Sequence, residues 1–559
     1  GFWGGVGVGG GCGCWGGRWG GGGGGGVGID GDTLPLNTFH TVTCVNDTSH
    51  VRPRAPHPAA PTLAPRPPRP YYRPMTTTSS ILDRSDHYCV IGAGPAGLLA
   101  ARSLTHAGIS YEQFDKNDDV GGIWDIKNDW SPMYETAHFI SSKTVSNLPG
   151  FDMPEDYPDY PSHRQILAYV RSFARAYDLY PNITFETPIE RVEPEDGGKT
   201  WLVTFGKSAK PRGAEGALRG ERRRYAGVFL CSGNTWDPNI PDYPGELTCE
   251  TMHSVRYRDP QIFSGKRVLV VGGGNSGCDI ACDAALYADE AFISLRRGYH
   301  FIPKYFFGMP TDLFASKVSL PRFIERRVFE LLLRMTVGDL TRYGLPKPDH
   351  PVMASHPIMN TQLLHYLGHG DLAYRPDIER FEGKRVYFKG GTSEEVDLIV
   401  FATGYKVTYP YMDKGLFEWI SKYPDLYLSS LHREFDNVCC LGLHQTDGGA
   451  YDFFTQQADM MCNFILDQKE RPAQAAKFHA LKKTDRPNLS GGIRYVDSAR
   501  HATYVKKSVF KKYSDKLMRK FGWKSFGTMF PPSQEAAVTS EAPPKAKPES
   551  PSVEVELAS

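Results

Sequence analysis

An α/β fold is predicted by two copies of one pattern: an apolar run, a glycine-rich turn, a helical stretch and a second apolar run. The first copy is "HYCVIGAG" at 87–94, then "PAGLLAARSLTHAG" and "ISYEQFD"; the second is "KRVLVVGGG", "NSGCDIACDAALYA" and "AFISLRR". Each reads as a βαβ unit. A third observation sets the arrangement: "YAGVFLCSGN" at 225–234 and "EVDLIVFATGY" at 395–405 are further apolar strands that end in glycine-bearing turns. The expectation is two Rossmann-like dinucleotide-binding domains, the second inserted into a sequence-split first. The boundaries read as a leader over 1–84, the outer domain over 85–245 and 391–530, the insert over 246–390 and a tail over 531–559.

The first helical stretch stops at Gly108, as a C-terminal cap requires. Between the two units, Ile166, Val170, Phe173 and Tyr177 recur at i, i+4, i+7 and i+11. That spacing is one face of an amphipathic helix, with Ser162 as its cap.

The ends differ from the middle. Residues 1–28 are dominated by glycine, and 51–74 is proline-rich with five arginines and no acid. Neither segment has the apolar surface to offset chain entropy, nor does the tail from Pro531, so both ends are expected to be disordered. The first methionine is Met75, and residues 1–74 are read as lying outside the working protein. A transit peptide is the alternative for a basic, acid-free leader, but the glycine tract lacks an amphipathic period.

A formal charge of +1 gives no pull toward nucleic acid or an anionic surface. No apolar run reaches about 18 residues, so no membrane span is predicted. Eleven scattered cysteines without a CxxC pair point to a reducing, cytoplasmic setting and to no metal. No Ser/His/Asp spacing marks a protein nucleophile, and no catalytic side chain is assigned.

In the first turn Gly92, Gly94 and Gly97 fit GxGxxG, with Ala93, Pro95 and Ala96 between them. The spacing permits a tight turn, close approach of backbone to a pyrophosphate and packing of helix on strand. Asp115 ends the next strand, 18 residues after Gly97, where an acid binds a ribose hydroxyl. Gly272, Gly274 and Gly277 repeat the motif. Here the following strand ends in Arg296 and Arg297 instead of an acid. A guanidinium holds a 2′-phosphate that a carboxylate would repel, so the second ligand is expected to be NADPH.

The run "DKNDDVGGIW" places Gly121, Gly122 and Trp124 just after Asp115. Together with "GAGPAG", "GNSGCDIA" and "FATGY" at 401–405, it resembles the flavin-containing monooxygenases, class B flavoprotein monooxygenases, over roughly residues 86–470. The resemblance implies FAD in the outer domain and NADPH in the insert. It brings Gly122, Ile123, Trp124 and Ser141 to the FAD, and Asn275, Ser276, Cys278 and Asp279 to the NADPH, with Cys278 a packing residue. It also implies a small soft nucleophile, an amine or a sulfide, as substrate and O2 as oxidant, through a flavin hydroperoxide. Disulfide reductases also carry two such turns, but residues 98–230 contain no cysteine for a redox pair.

The chain departs from the family at two points. The marker FxGxxxHxxx(Y/F) reads "LTCETMHSVRY": Leu247 and Cys249 replace Phe and Gly, while His253 and Tyr257 match. His253 is either a linker that orders the two domains or a satisfied structural histidine. Tyr257 stands where Baeyer–Villiger relatives carry Trp and favours oxidation at a heteroatom. In "FISSK" at 139–143, Ile140 takes the position of the family's Asn and has no side-chain hydrogen bond to donate. Ile140 motivates a Baeyer–Villiger alternative, and the altered marker a nucleotide-binding flavoprotein without oxygenase activity.

Overall fold

The computed structural model describes residues 80–206, 220–317, 322–496 and 503–533, all in the unit spanning Thr76–Ser559. The leader reading falls outside these residues up to position 79, and the tail reading from 534. At both margins the structure corrects the expectation. Strand β1 (Ile81–Ile91) starts inside the expected leader, its residues 81–84 paired with Arg222–Tyr225 of β6 (Arg222–Leu230). In the tail, the Ser533 N–H donates to Ala176 O at 3.0 Å.

The first sheet runs in the order 426–427, 431–432, 438–440, β6, β1, β2 (Tyr111–Phe114) and β3 (Ile183–Thr184). Strands β4 (Ile189–Glu195) and β5 (Thr200–Phe205) extend it antiparallel from β6. Alternate residues face two cores: Tyr88, Val90 and Phe229 meet the helices, while Cys89, Ile91, Val228 and Leu230 face the other layer. A parallel sheet covered on both faces needs such runs of continuous apolar residues. Helix α1 (Pro95–His106) crosses from β1 to β2 and ends with Gly108 at φ 68°, as its sequence requires. Helix α2 (His163–Ala176) opens with a capping box in which Ser162 and Gln165 satisfy each other's backbone N–H groups.

The second sheet is all parallel, in the order 373–375, 290–294, 267–271, 398–401, 250–253. Val268, Val270, Leu398 and Val400 face helix α3 (Asn275–Tyr287), and Leu269, Val271, Ile399 and Phe401 face a small four-stranded sheet. The strand Leu398–Phe401 therefore belongs to the second sheet, between 267–271 and 250–253. This corrects the boundary at 391: the chain rejoins the first sheet only at Leu426. An apolar run ending in glycine looks the same in either sheet, since only a distant partner decides its place.

The two crossings between sheets lie side by side. Tyr405–Lys406 pairs antiparallel with Asp237–Pro238, and Thr403 Oγ1 donates to Asn239 O at 2.6 Å. No helix among the described residues is long and apolar enough to cross a membrane.

Asn437 ties the last strand of the first sheet to its neighbours. Its buried Nδ2 donates to the carbonyls of Gly198, Lys199 and Ala226, and its Oδ1 accepts from Trp201 Nε1 at 3.1 Å. Asn437→Ala leaves the buried indole N–H unpaired and is expected to cost about 2–4 kcal/mol. A urea midpoint equal to the wild type's would refute this.

Candidate active site

Both glycine turns lie at the C-terminal end of a central parallel strand, where neighbouring strands leave in opposite directions and open a crevice. At the first, Gly92 has φ 107° and its N–H donates to Phe114 O at 2.7 Å. A Cβ on Gly92 would lie 2.5 Å from Cys231 O, and one on Gly97 would overlap the Gly92 carbonyl. Pro95 opens α1, where its missing N–H costs nothing. The N–H groups of Ala96 and Gly97 have no acceptor within the helix, which makes its start an anion site. Asp115 stands at the mouth: its Oδ2 accepts from Ala93 N–H at 2.6 Å and its Oδ1 from Asn117 N at 2.8 Å. Burial pushes its carboxyl above the usual range, against those hydrogen bonds. Oδ1 also accepts from Asn117 Nδ2 at 2.9 Å, so the lone pair left for a hydroxyl is on Oδ2.

The "GGIW" run packs directly on this turn. Gly121 N–H donates to Ala93 O at 3.2 Å, and a Cβ on Gly122 would lie 2.8 Å from Gly94 Cα. Ile123 packs against the first core, and Trp124 donates from Nε1 to Tyr451 Oη at 2.9 Å, at the start of the helix Tyr451–Glu470. Phe139 meets the Trp124 ring edge to face at 5.1 Å. Ser141 Oγ pairs with Ser146 Oγ at 2.6 Å, and Ser142 N–H donates to Asp312 Oδ2 at 2.7 Å. Ile140 packs against a separate apolar cluster of Ile302, Phe306, Leu332, Leu333, Val352 and Met359.

The second turn repeats the first. Gly272 has φ 120° and donates to Ser294 O at 3.0 Å; its Cβ would lie 2.5 Å from Ala402 O, and one on Gly277 would overlap the Gly272 carbonyl. Gly274 caps α3, whose first N–H groups stand free as in α1. Arg296 and Arg297 follow two residues beyond the strand Glu290–Ser294, Arg296 exposed and Arg297 half-buried. Arg297 lies over the Tyr299 ring at 5.6 Å and its charge helps to hold the Asp349 carboxyl below the usual range, while its buried Nε has no hydrogen-bond partner. Cradles that a Cβ would fill and an orphaned guanidinium nitrogen fit two dinucleotides, the second carrying an extra anionic group.

The flavin-binding monooxygenase-like family profile matches residues 85–524. The chain belongs to this family. It is therefore an oxidoreductase of the flavoprotein monooxygenase kind. It is 29% identical over 391 residues to dimethylaniline monooxygenase (N-oxide-forming) 2 of Rattus norvegicus, covering 66% of this chain and 71% of that one. To flavin-containing monooxygenase 3 of Homo sapiens it is 30% identical over 347 residues, 58% and 63% of the two chains. A solved structure of OTEMO with FAD and NADP superposes with TM-score 0.57 at 17% identity, covering 78% of this chain and 97% of that one. The S-allyl-L-cysteine S-oxygenase of Allium sativum superposes with TM-score 0.53 at 18% identity, covering 80% and 90%. At such identities the superpositions show the shared fold.

Within this flavin-binding monooxygenase-like chain, several residues on α3 are engaged by the protein itself. Asn275 donates to Pro357 O at 3.0 Å and accepts from Met359 N–H at 2.8 Å. Cys278 is fully buried in the second core, and burial raises its thiol well above the ordinary value, so it packs and does not attack. Ser276 lies beside Tyr134. Asp279 accepts from Tyr134 Oη at 2.9 Å and from Asn360 Nδ2 at 2.6 Å. One turn on, Asp283 Oδ2 accepts from Thr136 Oγ1 at 2.6 Å and Tyr257 Oη at 2.8 Å.

Sequence reading missed Tyr134, Thr136, Asp283 and Asn360. Acids at i and i+4 read as a solvated helix face, and the one available signal is the lack of a basic residue to pair with them on α3.

His253 resolves as a satisfied histidine that ties two segments of the insert. Its Nδ1 accepts from Val255 N–H at 3.2 Å, so Nε2 carries the proton and donates to Gly404 O at 3.0 Å. Burial lowers its pKa, and the ring stays neutral. Leu247 and Cys249 pack against the core of the small sheet, so the altered marker keeps its structural place.

Two outcomes test the site. Gly97→Ala is expected to yield protein without flavin absorbance, whereas Gly277→Ala keeps the flavin and raises the KM for NADPH; identical effects on both would refute separate seats. The second outcome concerns Asp283. Burial first, then the nearby charges of Asp279 and Asp259, push its carboxyl up to about 6, with the Thr136 and Tyr257 bonds opposing. The folded group thus holds a proton that the unfolded chain releases near about 3.9. Its cost is absent below that value, grows as pH rises and is complete above about 6. The thermal midpoint of Asp283→Asn relative to wild type should rise between those limits and then level; a flat difference would contradict the assignment.

Proposed function

We propose that this chain is an FAD-dependent, NADPH-consuming monooxygenase that adds one oxygen atom of O2 to a small amine or sulfide. One observation carries the reading: two backbone cradles of identical construction, the first joined to "GGIW" and the second followed by Arg296 and Arg297, the latter with a buried Nε that lacks a hydrogen-bond partner. Its cofactors are FAD and NADPH. When bound, FAD takes a hydride from NADPH and activates O2, one oxygen going to the substrate and the other to water. Gly92, Ala93 and Gly94 give backbone approach and Ala96 and Gly97 give N–H donors to the FAD pyrophosphate, and Asp115 accepts from its ribose. Gly122, Ile123, Trp124 and Ser141 line the flavin side. Gly272, Gly274, Ser276 and Gly277 do the same for NADPH, and Arg296 and Arg297 hold its 2′-phosphate by charged hydrogen bonds.

The names of the relatives, an N-oxide-forming dimethylaniline monooxygenase and an S-oxygenase, support a nitrogen or sulfur acceptor. Tyr257 supports it as well. A Baeyer–Villiger reading is favoured by Ile140, which offers no donor beside the flavin and packs on an apolar cluster. The cysteines of the described residues are free, and all but Cys249 are buried, which supports a reducing, cytoplasmic setting.

The deciding experiment supplies NADPH and isotopically heavy O2 with dimethylaniline, a simple thioether or cyclohexanone. Label in an N-oxide or sulfoxide is the expected result. Label only in an ester selects the Baeyer–Villiger reading, and label in no product defeats both. In the same assay Arg296→Ala should raise the KM for NADPH about 10- to 100-fold, the worth of one charge-assisted hydrogen bond. The KM for NADH should hardly move; equal rises for both would remove the arginine from the 2′-phosphate.

A further inference from the structure

The segment 128–138 is a strap without regular structure that leads from the "GGIW" turn to "FISSK". At its start it is fastened to the flavin loop: Asn128 Nδ2 donates to Gly122 O at 2.8 Å, and Ser131 Oγ donates to Ile123 O. Its far half is fastened to the other domain. Tyr134 and Ala137 are buried members of the second core, and Met133 packs against both cores. Tyr134 and Thr136 donate to Asp279 and Asp283 on α3, and the Tyr134 ring lies 5.4 Å from that of Tyr257.

Arg258 closes the joint from below. Its guanidinium donates to the carbonyls of Asn128, Asp129 and Met133 on the strap and of Val255 and Tyr257 on its own segment. Glu135 N–H returns a bond to Arg258 O at 2.9 Å.

We propose that Asp279 and Asp283 are positioning residues: through Tyr134, Thr136 and the strap they fix α3, the seat of the second nucleotide, relative to Gly122 and Ile123 of the first. The proposal rests on the reading that FAD and NADPH occupy these two seats. Neither acid has to touch a nucleotide, because the oxygens that meet the strap are already engaged. What the lock controls is the approach of donor to acceptor, where a displacement near 1 Å costs up to about 100-fold in rate. The step it serves moves a hydride with its electron pair from NADPH, oxidised to NADP+, to FAD, which is reduced. No bond to the protein forms or breaks.

Tyr134→Phe and Thr136→Val each remove one hydroxyl with little change of shape; Thr136→Ser and Asp283→Asn keep the donor and the acceptor. Three readouts follow: NADPH-driven bleaching of the flavin without O2, the KM for NADPH, and hydrogen exchange of the amides in 128–138. The first pair should slow bleaching about 10- to 100-fold, leave KM and flavin content near wild type, release more hydrogen peroxide per NADPH and speed exchange in the strap. The second pair should behave as wild type. A raised KM with unchanged bleaching would make Asp279 a nucleotide ligand, and unchanged bleaching with faster exchange would reduce the joint to packing; either overturns the proposal. If one variant fails to fold, the other carries the test. Absence of NADPH-driven bleaching in the wild type would instead overturn the underlying cofactor reading.

Discussion

The architecture depends on one close approach, made twice. Where the central strand ends, the backbone must turn into a helix while passing beneath a carbonyl of the parallel strand beside it. That carbonyl belongs to Cys231 in the first sheet and Ala402 in the second, and the Cβ of any residue at Gly92 or Gly272 would meet it at the same 2.5 Å. Both positions also need positive φ. With the side chain gone, the free N–H groups of the helix start face the crevice, an arrangement that suits an anion such as a pyrophosphate. Everything else in the two seats is arranged around this contact: the acid or the arginines at the next strand end, and the second loop that packs against Gly94.

What was legible in the sequence was local. GxGxxG with its flanking strand and helix is specified within about thirty residues, and so were the Ser162 cap and the stop at Gly108. At a fixed offset from the two turns the sequence also tells an acid, Asp115, from an arginine pair, and on that difference rests the proposal of two ribose partners of different chemistry. Placement that depends on remote pairing was not. The strand Leu398–Phe401 has the composition of either sheet, and only its register with Val268–Val271 assigns it. The joint around Asp279 and Asp283 was hidden for the same reason, since its donors lie some 145 residues upstream.

Ile140 joins the two kinds of information. As a letter in "FISSK" it is the loss of a hydrogen-bond donor; in the fold it is one wall of an apolar cluster built from Ile302 to Met359. The residue exchanges a polar contact for burial against a segment of the inserted domain. Next to it, Ser142 and Asp312 bind the same two segments by a backbone hydrogen bond. The loop 139–143 is thus shaped by contacts with the inserted domain.

The paired crossings have a consequence for how such a chain arises. The segments that leave and re-enter the first sheet run antiparallel at Asp237–Pro238 and Tyr405–Lys406. The inserted domain therefore begins and ends at neighbouring points, and its host strands need not move apart to admit it. Insertions with adjacent ends are those that a host fold tolerates best. A single recombination could deliver or remove the whole reductant module, and the nine-stranded host sheet would keep every one of its own pairings.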